Sequence, residues 1–117
     1  MFSILTWNVE NLFRPSQTAT SQDHQDYQDK LTLLAQVINH HEPDIIALQE
    51  VGGLEPLFDL QTACGYPHRD ISNFPDGRHI RVGFLSSRPI IAREDIVDFP
   101  VGPALNGATR CSTNYTL

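Results

Sequence analysis

Residues 44–50 read Asp-Ile-Ile-Ala-Leu-Gln-Glu, a short segment with apolar side chains on both faces that turns polar only at Gln49 and Glu50. A strand with one solvated face alternates apolar and polar residues, whereas one covered on both sides reads as a continuous apolar run. The stretch is too short for a helix in this context, so it predicts a buried strand. What precedes it fits. Tyr27, Leu31, Leu34, Ala35 and Ile38 recur at helical spacing, with Leu33 and Val37 widening the stripe, which predicts an amphipathic helix over 26–41. Pro43 disfavours helical geometry at Glu42 and stops it. Downstream, Leu54, Leu57, Leu60 and Cys64 recur every three or four residues and Gly65 supplies a left-handed stop, predicting a second helix.

Working outward, Phe2 to Val9 is apolar and β-branched enough for a strand, with Leu5, Trp7 and Val9 on one face and Ile4, Thr6 and Asn8 on the other. It reads as an interior strand. Arg14 to Asp26 is polar, carries Pro15 at its start and has no period, which predicts a long surface loop. Beyond the second helix, Tyr66–Ile71, Ile80–Leu85 and Ile90–Phe99 read as short strands, the first two joined by a turn over Ser72–Arg78, SNFPDGR. The expected order is strand, helix, strand, helix, then a meander. Residues 101–117 carry turn residues and then rising β-propensity with no stop signal, so the chain reads as cut off. Nothing repeats internally.

With 117 residues, 40% apolar and 19% charged, the composition is that of one soluble globular domain. A chain of this size buries about 65% of its extended surface, enough for a core but not for two domains. Eight Lys and Arg against fourteen Asp and Glu give a formal charge of -6, so any contact with a polyanion has to be local. Cys64 and Cys111 have no CxxC spacing and no nearby histidine, which suits a reducing compartment or core packing. The N-terminus lacks a signal-peptide pattern and no apolar run approaches the ~18 residues of a membrane span. The expected location is the cytoplasm, with no membrane partner.

Asn8 and Glu10 are two residues apart at the end of the first strand, so both leave the same face if the strand continues. Glu50 ends the other buried strand. If the two strands lie side by side, an amide oxygen and two carboxylates converge at one rim of the sheet, a hard-oxygen set suited to Mg²⁺. On spacing alone the same residues also read as caps or turn formers and a solvated strand end.

The wording of the motifs adds to this. TWNVENLF, residues 6–13, resembles the opening strand of the endonuclease/exonuclease/phosphatase superfamily, the deoxyribonuclease-I-like fold. PDIIALQEV, residues 43–51, resembles its second signature, and DGRHIRVGFLSSRPI, residues 76–90, resembles the stretch that runs through its next strands. The resemblance implies an α/β (α+β) fold, the N-terminal half of a four-layer sandwich with two mainly antiparallel sheets face to face and helices outside. It implies that Asn8 orients the scissile phosphate, that Glu10 is the acid two residues on, and that Glu50 is the principal metal-binding glutamate. The implied cofactor is Mg²⁺ or Mn²⁺, and the implied reaction is hydrolysis of a phosphoester by in-line attack of an activated water. Gln49 precedes Glu50 as in the family signature and by alternation points the other way, so it is expected to brace the strand. The family's histidine–aspartate pair, Asp-x-Asn element and late Ser-Asp-His element are absent from these 117 residues.

The remaining charged residues read less sharply. His40 and His41 lie in the expected last helical turn, where a cation complements the helix dipole, and His24, His68 and His79 read as surface residues. Arg78, Arg81 and Arg88 form a local basic cluster, and Arg14 closely follows the first strand. Arg14, Arg78 and Arg81 are the candidate contacts to substrate phosphate, with solvated arginines as the plain alternative; Lys30 is equally ambiguous. Two functions follow. One is a metal-dependent phosphoesterase, a nuclease or phosphodiesterase, acting on a phosphoester substrate that includes nucleic acid among the candidates. The other is a catalytically inert fragment or interaction product, whose partner would be the missing C-terminal half.

Overall fold

The structure, a computed structural model, describes residues 2–73, 77, 79–96 and 112–116. The elements are β1 (Ile4–Leu12), α1 (Ser21–His41), β2 (Ile45–Val51), α2 (Leu54–Cys64), β3 (His68–Ile71), β4 (Arg81–Ser86), β5 (Ala92–Ile96) and β6 (Ser112–Thr116). The first four strands form one sheet in the order β1-β2-β4-β3, and β5 pairs with β6 in a separate ribbon. The fold is mixed α+β. β1 and β2 are parallel, with Ile4 opposite Ile45 and Asn8 opposite Gln49, and the remaining pairs are antiparallel. A parallel pair needs a crossover connection, which α1 supplies.

The helix starts earlier than its apolar stripe. Thr20 is the N-cap: its side chain accepts from the Asp23 N–H at 3.1 Å, and the Asp23 carboxylate accepts the Thr20 N–H at 3.1 Å. This reciprocal capping box satisfies two donors that a helix start leaves unpaired. The expected loop over 14–26 is therefore corrected to a shorter one, because Ser21–Asp26 form the first turns of α1. The far end agrees with expectation: Glu42 caps it in left-handed geometry at φ 47, directly before Pro43. α2 ends as expected at Gly65, φ 79, a conformation open to glycine without strain.

Both helices cover one face of the sheet. Tyr27, Leu31, Leu34 and Ile38 of α1 and Leu57 and Leu60 of α2 pack with Val9, Leu12, Ile46, Leu48, Val51 and Leu85, and Leu5 and Trp7 lie against this cluster. Burying each such aliphatic side chain contributes about 1.5–3 kcal/mol. On the opposite face β1 is open, with Ile4 65% exposed, while Ile45 and Phe84 are buried. Within the described sheet β1 stands at an end, and β2 is flanked by β1 and β4. Arg93 of β5 reaches β3, donating to the Asp70 carboxylate at 2.7 Å and to the Ile71 carbonyl at 2.6 Å.

The thiol of Cys64 donates to the Leu60 carbonyl, and burial pushes its pKa up, as expected of core packing. Cys111, Arg78, most of the SNFPDGR turn, residues 97–99 of the expected last strand and most of the closing stretch lie outside the described residues. Among the described residues no helix is long and apolar enough to cross a membrane.

Candidate active site

The sheet stops being regular where the candidate residues lie. Between Asn8 and Leu12 β1 advances four residues while β2 advances two, from Gln49 to Val51. Between Leu48 and Val51 β2 advances three residues while β4 advances two, from Gly83 to Arg81. These are bulges, which re-aim side chains at the rim of a sheet. Glu10 and Asn11, both at φ 54, and Glu50, at φ 62, take up the extra length in left-handed geometry. Three non-glycine residues in this sparsely populated region within one rim mark a locally strained backbone.

The bulge on β2 decides where Glu50 goes. Leu48 points into the helix-covered core, so strict alternation would send Glu50 there too and expel Val51. Instead Val51 is fully buried in the core cluster and Glu50 remains half-buried. The extra residue thus restores the apolar register and keeps the carboxylate out of the core, where an unpaired charge would be costly. On β1 the same logic returns Leu12 to the core after Val9. The same-face expectation for Asn8 and Glu10 rested on a strand that continues, and its alternation ends at Val9.

Hydrogen bonds tie these residues into one unit. The Asn8 side-chain oxygen accepts the Glu10 N–H at 2.8 Å, and the Glu50 Oε2 accepts the Asn11 N–H at 3.0 Å. Lys30, on α1, donates from its Nζ to the Glu10 carbonyl at 2.6 Å. Asn8 and Glu50 are thus joined through two consecutive backbone amides of one turn. The Asn8 oxygen uses one lone pair in this bond and keeps a second, while its Nδ2 can only donate. Gln49 braces the strands as expected, donating to the Thr6 hydroxyl at 3.0 Å.

The arginines are placed differently from one another. Arg14 grips Asp59 of α2 with two bonds, at 2.8 and 3.1 Å, and the Tyr27 hydroxyl donates to the same carboxylate at 2.7 Å. Burial acts to raise the Asp59 pKa, but the bonds from Arg14 and Tyr27 outweigh it and hold the carboxyl below its ordinary value. Arg14 therefore ties the segment after β1 to both helices. Arg81 pairs with Val51 beside Glu50, and its guanidinium donates to the Ser72 carbonyl at 2.8 Å. It lines a cleft of about 450 Å³ with Gly52, Gly53, Leu54, Glu55, Ile71 and His79. Arg88 lies over the Phe2 ring.

Among the described residues no three His, Cys, Asp or Glu side chains form a ready-made metal cage. Mg²⁺ does not require one, because it is commonly held by one or two carboxylates with water and substrate oxygens filling the rest. Glu10, Glu50 and the Asn8 oxygen are an oxygen-only set, and their chemistry fits such an ion. Lys30 and the capping residues of α1 were the parts of this neighbourhood that spacing alone missed or left open. The Thr20-x-x-Asp23 box was readable in the sequence, whereas the reach of Lys30 to Glu10 depends on how α1 crosses the sheet.

The model of the endonuclease/exonuclease/phosphatase family matches residues 5–114, so the chain belongs to that family. Among solved structures, the chain is similar to a mannosyl-6-phosphatase from Bacteroides thetaiotaomicron VPI-5482, with TM-score 0.54 and 20% identity over 83% of this chain and 36% of that one. It is similar also to an endonuclease/exonuclease/phosphatase family protein from Bacteroides thetaiotaomicron, with TM-score 0.53 and 21% identity over 82% of this chain and 35% of that one. No curated protein matches the chain. The chain spans about a third of the length of the solved structures it resembles.

Proposed function

We propose that these residues form part of the active site of a divalent-metal-dependent phosphoesterase, a nuclease or phosphodiesterase that hydrolyses a phosphodiester by in-line attack of water. The observation that carries this reading is the single hydrogen-bonded unit formed by Asn8, the Glu10–Asn11 turn and Glu50, drawn from two strands at one rim. Membership in the family supports the reaction class. Glu50 and Glu10 would hold Mg²⁺ or Mn²⁺, which when bound neutralises charge on the phosphoryl oxygens. Asn8, its oxygen fixed by the Glu10 N–H, presents its amide group to orient the phosphate. Arg81, on the strand that pairs with β2, is proposed to contact the substrate, as is Arg78, which lies outside the described residues. For Arg14, the third candidate, the bidentate bond to Asp59 supports a bracing role instead.

The test is hydrolysis by the full-length protein that carries this segment, with bis(p-nitrophenyl) phosphate and plasmid DNA as diesters and p-nitrophenyl phosphate as monoester, with and without Mg²⁺. Metal-dependent diester cleavage that Glu50→Ala abolishes is the expected result, and undiminished turnover in that variant removes Glu50 from the mechanism. Preference for the monoester would shift the reading toward sugar-phosphate substrates, the class named for the Bacteroides phosphatase. A second reading rests on the length comparison: the 117 residues by themselves are an inert piece whose partner is the remainder of such a domain. It predicts no turnover by the isolated chain above a metal-only blank.

A further inference from the structure

We propose that Lys30 is a positioning residue for the site, holding the strained Glu10–Asn11 turn from the helix side so that both of its amides meet their side-chain acceptors. This rests on reading Asn8, Glu10 and Glu50 as the site. Glu10 and Asn11 both sit in left-handed geometry, which for non-glycine residues costs of order 1–3 kcal/mol and persists only when the surroundings over-determine it. Three contacts do so. Asn8 takes the Glu10 N–H, Glu50 takes the Asn11 N–H, and Lys30 binds the Glu10 carbonyl between them at 2.6 Å.

The carbonyl of Glu10 belongs to the same peptide unit as the N–H of Asn11. That unit is therefore gripped at both ends, by an ammonium on one side and a carboxylate on the other. Rotating the peptide away from Lys30 would also turn the Asn11 N–H away from Glu50, so the two bonds reinforce each other. The donor is charged and the bond correspondingly strong. Lys30 reaches the turn because α1 is anchored on either side of it: Tyr27, one turn earlier, is fixed on Asp59, and Leu31 and Leu34, which follow it, lie in the core. Lys30 is thus carried on the rigid part of the crossover helix, and its role is to set the direction in which Glu10 and Glu50 present their carboxylates.

The test is amide hydrogen exchange, residue by residue, in the full-length protein that carries this segment, comparing wild type, Lys30→Met and Lys30→Arg. Lys30→Met keeps the aliphatic stem and removes the donor; it is expected to speed exchange at Glu10 and Asn11 by about ten-fold or more while the amides of α1 and of β2 up to Leu48 are unchanged. Lys30→Arg is expected to restore much of the protection. Binding of Mn²⁺, followed by the loss of its free-ion electron paramagnetic resonance signal, is expected to weaken about ten-fold in Lys30→Met and to recover in Lys30→Arg. Unchanged exchange at the two amides, or an equal increase throughout the sheet, overturns the proposal. If Lys30→Met does not fold, Lys30→Arg decides: retained protection at Glu10 and Asn11 supports the role, and lost protection overturns it. Local loosening in a protein whose wild type binds no Mn²⁺ would leave the positioning role standing and defeat the metal-dependent function instead.

Discussion

Glu50 accepts the backbone N–H of Asn11 at 3.0 Å, across 39 residues of chain, so the strand bearing one candidate acid also holds the turn bearing the other. This double duty can be separated by substitution. Glu50→Gln keeps an oxygen that can accept from Asn11 but loses the charge, so its unfolding free energy is expected to stay within about 0.5 kcal/mol of wild type. Turnover in the same variant is expected to fall about 100-fold or more. Glu50→Ala loses both functions and should unfold about 1–2 kcal/mol more easily. Urea denaturation with parallel rate measurements checks this; equal destabilisation of the two variants would show that the carboxylate does not hold the turn.

The Tyr27–Asp59–Arg14 cluster links α1, α2 and the segment after β1. Burial, then the bond to Asp59, raises the Tyr27 phenol above its ordinary value, so the hydroxyl stays a donor throughout the neutral range. Tyr27→Phe is expected to cost about 1 kcal/mol in chemical denaturation.

The same cluster sets a pH dependence. The folded Asp59 carboxyl lies below its unfolded value despite the opposing effect of burial, because Arg14 and Tyr27 donate to it. Its contribution is therefore fully present above about pH 4 and is lost as the pH falls through the folded value. Stability measured from pH 7 downward should fall more steeply below pH ~4 in wild type than in Asp59→Asn; parallel curves would mean that this carboxylate carries no such linkage.

Thr20 starts α1. Thr20→Ala removes the acceptor for the Asp23 N–H and is expected to destabilise by about 1 kcal/mol, with Thr20→Ser close to neutral. Thermal unfolding of the two variants distinguishes the cap from a general sensitivity of the loop.

Gly52 follows β2 at a close approach of chains. A Cβ there would meet the Phe13 ring and lie 2.6 Å from the Leu12 carbonyl oxygen, which belongs to fixed backbone. The Gly52 N–H donates to that same carbonyl at 2.8 Å. Gly52→Ala is accordingly expected to cost about 1–3 kcal/mol, and the loss should appear as a lower midpoint in thermal unfolding.

The elements with strong periodicity were legible in the sequence, and the rim was not. The apolar run at Ile45–Leu48, the stripe from Tyr27 to Ile38 and the stop signals at Pro43 and Gly65 each report a local physical preference, and each appears where expected. The apolar stripe of α1 does not mark its start, because the helix begins at a polar cap, Thr20, ahead of the first buried residue. The position of β1 at a sheet end depends on pairing partners, which periodicity does not specify. At the rim, Asn8, Glu10 and Glu50 were recognisable as candidates, but their geometry follows from two bulges. A bulge is set by competition between core register and backbone strain, and no single residue type announces it.

The bulges also have a consequence for how such a sheet can vary. Since the apolar register is interrupted after Val9 and resumes at Leu12, and is interrupted after Leu48 and resumes at Val51, the intervening residues are insulated from the packing of the interior. Side chains at 10, 11, 49 and 50 can be exchanged for others without asking the hydrophobic layer to rearrange. What constrains these positions is therefore the local hydrogen bonding of Gln49 and Glu50 and not the packing of the interior.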